Sequence, residues 1–328
     1  MVGAGPPGPL LTFFHAAQEV MDAALAPKTI ASYRSSLRQL DSFLQAANRP
    51  PLGAAQAEDR MSLCMYLLHV AKSRVRAESV VRLTLAAVAH RFRFGTCPSP
   101  HADPIVQHFA LGLTRKFSAP VQHRPLIDLD PVLLFLRTMD ESSLYSLSAK
   151  LMTLFMILGA WRPQQLALVL RHDVTLTHSS VTIRRFGDKA DRLRRGNFPS
   201  CFPAAADPVL DPVRLTRAYL VLSDQRFGNS PSRPLFPILT GDPGTPLPIS
   251  ASVASQRVHR VLAAAGLPEA RPCSIRPSAV NRALATGAAS VEAMRKQGGW
   301  RRPETFSKVY MRHELPTSYS DSLLSTGR

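Results

Sequence analysis

PCSIRPSAVNRALATGAASVEAMRKQGGWRRPETFSKVYMR, residues 272–312, is the richest stretch of the chain in side chains that carry chemistry. Arg276 is expected at the opening of a helix, Trp300 directly after a Gly298-Gly299 break, and Tyr310 on the short helix that follows. Upstream, Arg162 lies in GAWRPQQLALVL, residues 159–170, where one helix ends and Pro163 starts another. Lys189 sits at the tip of a small hairpin, with β-branched alternating segments at 173–177 and 181–185 and a Gly187-Asp188 turn.

The 328 residues suffice for two domains, each with its own core. A hydrophobic share of 45% and a charged share of 19% are those of a soluble globular protein. Net charge is the outlier. Forty Lys plus Arg against 23 Asp plus Glu give +17, which favours a polyanionic partner. The bases run along the whole chain instead of forming a juxtamembrane block, so nucleic acid fits better than a membrane surface. Most are Arg, which grips phosphate through two parallel hydrogen bonds. An Arg-rich composition inherited from GC-rich coding DNA is the plainer account. Cys64, Cys97, Cys201 and Cys273 match no zinc spacing and read as reduced thiols. No signal pattern opens the sequence, and its longest apolar run, 151–161, is too short to span a bilayer. A soluble intracellular protein without metal or nucleotide cofactor is expected.

Residues 1–10 are Gly- and Pro-rich and are expected to be disordered; Gly3, Gly5 and Gly8 have dinucleotide-loop spacing but lack the flanking strand and helix. A helical first domain spans 11–117. Its first helix is expected from Thr29 as N-cap, with Ile30, Tyr33, Leu37, Leu40 and Leu44 on one stripe and Arg34 and Arg38 off it. Three more helices are expected near 58–72, 77–92 and 103–115. A Pro-punctuated linker, 118–128, leads to a second domain, 129–328, opened by Asp130 as N-cap and Pro131 at N1. Residues 143–159 read as a buried helix. After the hairpin and Pro208 the chain returns to helices, interrupted by a Pro- and Gly-rich loop at 230–248. The class is mainly α with a small antiparallel sheet.

Two arginines, a hairpin lysine and a late tyrosine are the parts phosphodiester transesterification needs. The arginines hold the non-bridging oxygens and stabilise the added charge at phosphorus. The lysine protonates the leaving oxygen, and the phenolate attacks and stores the bond covalently. In this combination the chain resembles the tyrosine recombinases and phage-type integrases, over nearly everything from Pro27 onward. The Trp-containing turn leading to a Thr-Phe…Tyr helix is closest in pattern to the enzymes of DIRS-type retrotransposons. The resemblance implies a two-domain, DNA breaking-and-rejoining fold whose helical core-binding domain clamps duplex DNA. It makes Arg162 and Arg276 the catalytic arginines, Lys189 the sheet lysine, Trp300 the His-or-Trp donor and Tyr310 the nucleophile. The spacings, 24 residues from Arg276 to Trp300 and 10 from Trp300 to Tyr310, are close to the family's. It further implies a 3′-phosphotyrosyl intermediate, a homotetramer on double-stranded DNA, no cofactor, and Arg34, Arg38, Arg82 and Arg91 among the DNA contacts. The location implied is the nucleus for a DIRS-like protein, or the cytoplasm and nucleoid for a bacterial one.

Three departures stand out. Cys273 occupies the place where the family usually has His, and a thiol is the poorer hydrogen-bond donor. Gly159 to Arg162 is one residue looser than the usual Gly-x-Arg, and Gln165 stands where Glu is frequent. A catalytically weakened or DNA-binding-only descendant of a mobile element is therefore the alternative, and a helical scaffold for acidic proteins is a third reading. Each residue alone also has a plain account: Arg162 and Arg276 as helix-end salt-bridge residues, Tyr310 as a surface aromatic, Trp300 as packing, and Lys189 as a solvated turn residue that Arg192 could replace. Their joint order and spacing favour the chemical reading.

Overall fold

The computed structural model describes Val20 and residues 24–54, 56–73, 77–93, 97–117, 125–184, 199–300 and 303–310. The chain divides into two compact units, residues 1–123 and 124–328. The stretch expected to be disordered, 1–10, and residues 118–124 of the expected linker lie outside the described residues.

In the first unit, α1 (Pro27–Ala46), α2 (Gln56–Ser73), α3 (Ala77–Arg91) and α4 (Pro104–Phe117) surround one core. Helix α1 starts earlier than Thr29, which lies inside its first turn with its N–H on the Ala26 carbonyl at 2.8 Å. Pro27 sets the start: its φ is already helical and its missing N–H costs nothing there. The stripe turns inward as expected, with Ile30, Leu40 and Leu44 buried and Tyr33 and Leu37 partly so. Helix α1 packs on α3, and α2 packs on α3 and α4. A buried hydroxyl pair, Ser36 and Thr84 at 3.2 Å, joins α1 to α3. The turn before α2 closes on Asp59, whose carboxylate accepts the Gly53 N–H at 2.9 and 3.0 Å. Gly53 has φ +96°, which favours glycine.

The second unit is built around α6 (Leu144–Leu158), started by Ser143, whose Oγ accepts the Ser146 N–H at 3.0 Å. Every residue of α6 from Leu147 to Ile157 is buried. Each fully buried Leu or Phe of such a helix contributes about 1.5–3 kcal/mol relative to exposure. Around α6 lie α8 (Pro212–Phe227), α9 (Ala251–Ala264) and α10 (Pro272–Ala285). The short α5 (Asp130–Thr138) begins at the expected cap, one residue earlier than the expected first helical position. Asp130 is already helical, Leu129 is the N-cap, and Asp128 Oδ1 accepts the Asp130 N–H at 2.9 Å. Residues 125–128, assigned to the linker from sequence, are tied to this unit by the Ile127 N–H on Ser278 Oγ at 2.9 Å.

An antiparallel sheet has the order β1 (Val174–Leu176), β2 (Ser180–Ile183), β3 (Ser200–Pro203). Thr182 pairs with Thr175 on one side and Cys201 on the other. The first two strands are shorter than expected: Asp173 sits in a 3-10 turn, and Arg184 follows the end of β2. The third strand was not foreseen. Pro199 precedes it, Pro203 is its last residue, and both argue against a strand, but β3 is an edge, where proline is tolerated. Val181, Ile183 and Phe202 point into the core, where the Phe202 ring stacks on Phe155 at 5.0 Å. Among the described residues no helix is long and apolar enough to cross a membrane.

Candidate active site

The site begins where α6 stops. Gly159 closes the helix with its N–H on the Phe155 carbonyl at 2.9 Å. A Cβ there would lie 2.5 Å from the Trp161 ring, so glycine is needed for the close approach. Ala160 turns left-handed at φ +48° between Gly159 and Trp161. Trp161 is fully buried against Phe155 and Phe202, with its Nε1–H donated to Ser200 Oγ at 3.0 Å. Arg162, half-buried, is the N-cap of α7 (Pro163–Ala167). The Arg162 N–H donates to Gln165 Oε1 at 2.6 Å, and the Gln165 N–H returns to the Arg162 carbonyl at 2.9 Å. Gln165 is buried, so this reciprocal pair fixes the backbone from which the Arg162 side chain leaves.

Arg276 does not open its helix. α10 starts at Pro272, placing Arg276 in the second turn, followed by Pro277, which brings no N–H to the Cys273 carbonyl. Arg276 is buried, 3% exposed as a residue. One Nη donates to the Ala160 carbonyl and the other to the Gly298 carbonyl at 2.9 Å. The group also lies over the Trp300 ring, 3.7 Å from its centroid, a desolvated cation–π contact of about 2 kcal/mol. Arg276 therefore holds the loop before Arg162 and the turn before Trp300 to one distance. Cys273 lies three residues earlier on α10 and is partly exposed.

Two glycines explain the Trp300 turn. Helix α11 (Val291–Gly298) starts at Ser290, whose Oγ accepts the Ala293 N–H at 3.1 Å. It ends in a Schellman turn, with the Gly299 N–H on the Lys296 carbonyl, the Trp300 N–H on the Arg295 carbonyl, and Gly299 at φ +74°. Gly298 has a different duty: a Cβ there would fall 1.7 Å from Trp300 Cζ3. Trp300 also meets Phe306 of α12 (Pro303–Tyr310) edge-on at 4.9 Å. Ala160, Val280, Met294, Trp300 and Phe306 form a small apolar cluster of their own. Phe306 thereby anchors α12, whose last residue is Tyr310.

The structure thus brings Arg276, Trp300 and the Arg162 loop together, with α12 seated on Trp300. The Tyr310 side chain lies outside the described residues, as do Lys189, Arg192 and the Gly187-Asp188 turn. Trp161, Ser200 and Gln297 were not singled out from sequence. Ser200 is separated from its partners by 39 and 97 residues, and nothing local marks it.

In the first unit Arg34 and Arg38 are exposed on α1. Arg38 lines an open groove of about 490 Å³ with Ser35, Gln39, Ser42, His69 and Ser73. Arg82 and Arg91 are exposed but carry acidic partners, Glu78 at 2.7 Å and Asp41 at 2.8 Å.

No protein-family model and no curated protein matches the chain. Solved structures do. The integrase of the Tn1549 transposon in complex with transposon right end DNA matches at a TM-score of 0.61 and 11% identity, over 95% of this chain and 98% of that one. A lambda integrase dimer bound to a COC′ core site matches at 0.54 and 12%, over 93% and 98%. A lambda integrase tetramer bound to a Holliday junction matches at 0.52 and 13%, over 94% and 79%. Identities this low speak for architecture alone. A mostly helical chain with a three-stranded antiparallel sheet, aligned over nearly its whole length with two different integrases, has the tyrosine recombinase fold.

Proposed function

We propose that this protein is a site-specific DNA recombinase or integrase that cuts and rejoins duplex DNA through a 3′-phosphotyrosyl intermediate. The observation that carries the reading is Arg276: a buried guanidinium, stacked on Trp300 and bonded to the carbonyls of Ala160 and Gly298. Such a group is held rigidly between the segments that bear Arg162 and Trp300. In the proposed reaction the Tyr310 oxygen attacks phosphorus as it loses its proton, and the 5′ oxygen departs with a proton from Lys189. Arg162 and Arg276 stabilise the charge that builds on the non-bridging oxygens, and the Trp300 indole N–H donates to one of them. The phosphotyrosyl ester keeps the bond energy, so attack by a 5′ hydroxyl rejoins the strand with no external energy source.

The net charge of +17 and the exposed Arg34 and Arg38 support duplex DNA as the partner. The DNA complexes among the matching integrases support the same partner, and the lambda tetramer supports a tetrameric assembly. The Gly299-Trp300 turn followed by Phe306 and Tyr310 supports a mobile element of DIRS type as the source. Cys273 favours a second reading, a DNA-binding descendant that no longer cuts.

The deciding experiment selects a binding site from a random duplex library and places it in a nicked suicide substrate. Wild-type protein should form a covalent adduct stable to denaturant, and Tyr310→Phe should form none while binding the site equally well. An adduct that survives the substitution overturns the assignment of Tyr310. Binding with no adduct from the wild type leaves the second reading standing.

A further inference from the structure

Arg276 is not the only bridge between the Arg162 loop and the Trp300 turn. Ser200, the first residue of β3 and fully buried, spans the same gap one residue later on the first side and one residue earlier on the second. Its Oγ accepts the Trp161 Nε1–H at 3.0 Å and donates to the Gln297 carbonyl in a longer bond of 3.4 Å. The Gln297 side chain reinforces it, Nε2 donating to the Cys201 carbonyl at 3.1 Å. Ala160 and Gly298 are thus joined by a guanidinium, and Trp161 and Gln297 by a hydroxyl. Arg162 directly follows Trp161, and Trp300 comes three residues after Gln297.

We propose that Ser200 is a positioning residue, setting the spacing at which the two arginines meet the scissile phosphate. The inference rests on the recombinase reading. A hydroxyl suits the place because it accepts from one side and donates to the other, which neither alanine nor a carbonyl can do. The effect of its loss falls on geometry: the Arg162 loop and the segment before Trp300 lose one of the bonds that hold them at a fixed distance.

The test is single-turnover cleavage of the selected site in two forms, one with the natural phosphate and one with a methylphosphonate at the scissile position. The methyl group removes the charge that the arginines neutralise, so a misplaced guanidinium costs little on that substrate. Ser200→Ala should slow phosphate cleavage about ten- to hundredfold, the scale of a small misplacement of catalytic groups. On the methylphosphonate its rate should approach that of the wild type, with DNA affinity unchanged. Arg162→Ala provides the reference pattern. Trp161→Phe, which deletes the N–H but keeps a ring against Phe155 and Phe202, should behave likewise should Ser200→Ala fail to fold. The double variant should be no slower than the worse single one. Equal slowing on both substrates, or an unchanged rate on phosphate, overturns the positioning role. A wild type that cleaves neither substrate overturns the recombinase reading, and the inference with it.

Discussion

Cys273 is one of the three departures from the pattern that the resemblance sets, and it shares α10 with Arg276. It stands in the first turn of α10, one turn before Arg276 and partly exposed, so a side chain there has room to reach solvent or substrate. A thiol donates a weak hydrogen bond, whereas an imidazole donates a strong one and carries a proton near neutral pH. Cys273→His should therefore raise the single-turnover cleavage rate by about tenfold, less than a full oxyanion-hole donor is worth. A rate unchanged or lowered, with DNA binding intact, would mean that this position does not face the phosphate. Legibility at this scale followed chain distance. Trp300 and its two glycines stood out because a break, a bulky ring and a following helix lie within a dozen residues. The Ser200 bridge was invisible because its partners are distant in sequence and a lone serine has no pattern.

At the scale of elements, the second unit is tied by ions as well as by its core. Lys150, fully buried in α6, donates to Glu141 Oε1 at 2.7 Å. Arg214 of α8 grips the same carboxylate with both Nη atoms, each at 2.7 Å. The Arg214 guanidinium and the Lys150 ammonium hold the Glu141 carboxyl down, from 4.5 to about 2. A depressed carboxylate contributes stability that is present above its unfolded value and lost as pH falls from about 4.5 through 2. A depression of that size corresponds to about 3 kcal/mol. Thermal melts of the wild type should therefore fall steeply across that window. Glu141→Gln should be less stable at neutral pH by about 3–5 kcal/mol, since the buried Lys150 loses its counter-charge, and its acid dependence should be shallower. Parallel acid curves for the two proteins would refute this.

Elements with a repeating pattern were readable, and those set by tertiary contact were not. The stripe of α1 and the apolar run of α6 show in the sequence because burial repeats along one helix. The start of α1 was misplaced because Pro27, rather than the threonine, fixes it. Strand β3 was missed because its prolines are permitted only by its edge position, which no local reading supplies.

For the molecule as a whole, the two units have separate cores. Leu40, Leu44, Leu63 and Leu67 belong to one, and Leu147, Leu151, Phe155 and Phe202 to the other. Truncating a buried leucine costs about 2–5 kcal/mol, and the cost stays within the core that loses it. Calorimetry of Leu40→Ala and Leu151→Ala should lower different transitions, the first that of residues 1–123 and the second that of 124–328. A single transition lowered equally by both would mean that the units unfold as one. Length and the Pro-punctuated stretch before Asp128 point to two domains in the sequence, whereas the hydrogen bond from Ile127 to Ser278 joins residues 151 apart along the chain and leaves no local sign.

The small cluster around Trp300 has a consequence for the protein while it is being made. Its members come from Ala160, from α10 and from residues 294–306, so a ribosome must deliver nearly every described element before the cluster can close. The first unit and the Leu151 core have already emerged by then. A nascent chain can thus acquire the helix that carries Arg34 and Arg38 well before Arg276 finds the Gly298 carbonyl and the Trp300 ring. On the proposed function, DNA binding would ripen before strand cutting, and a chain interrupted before residue 298 would lack the stack that holds Arg276 in place.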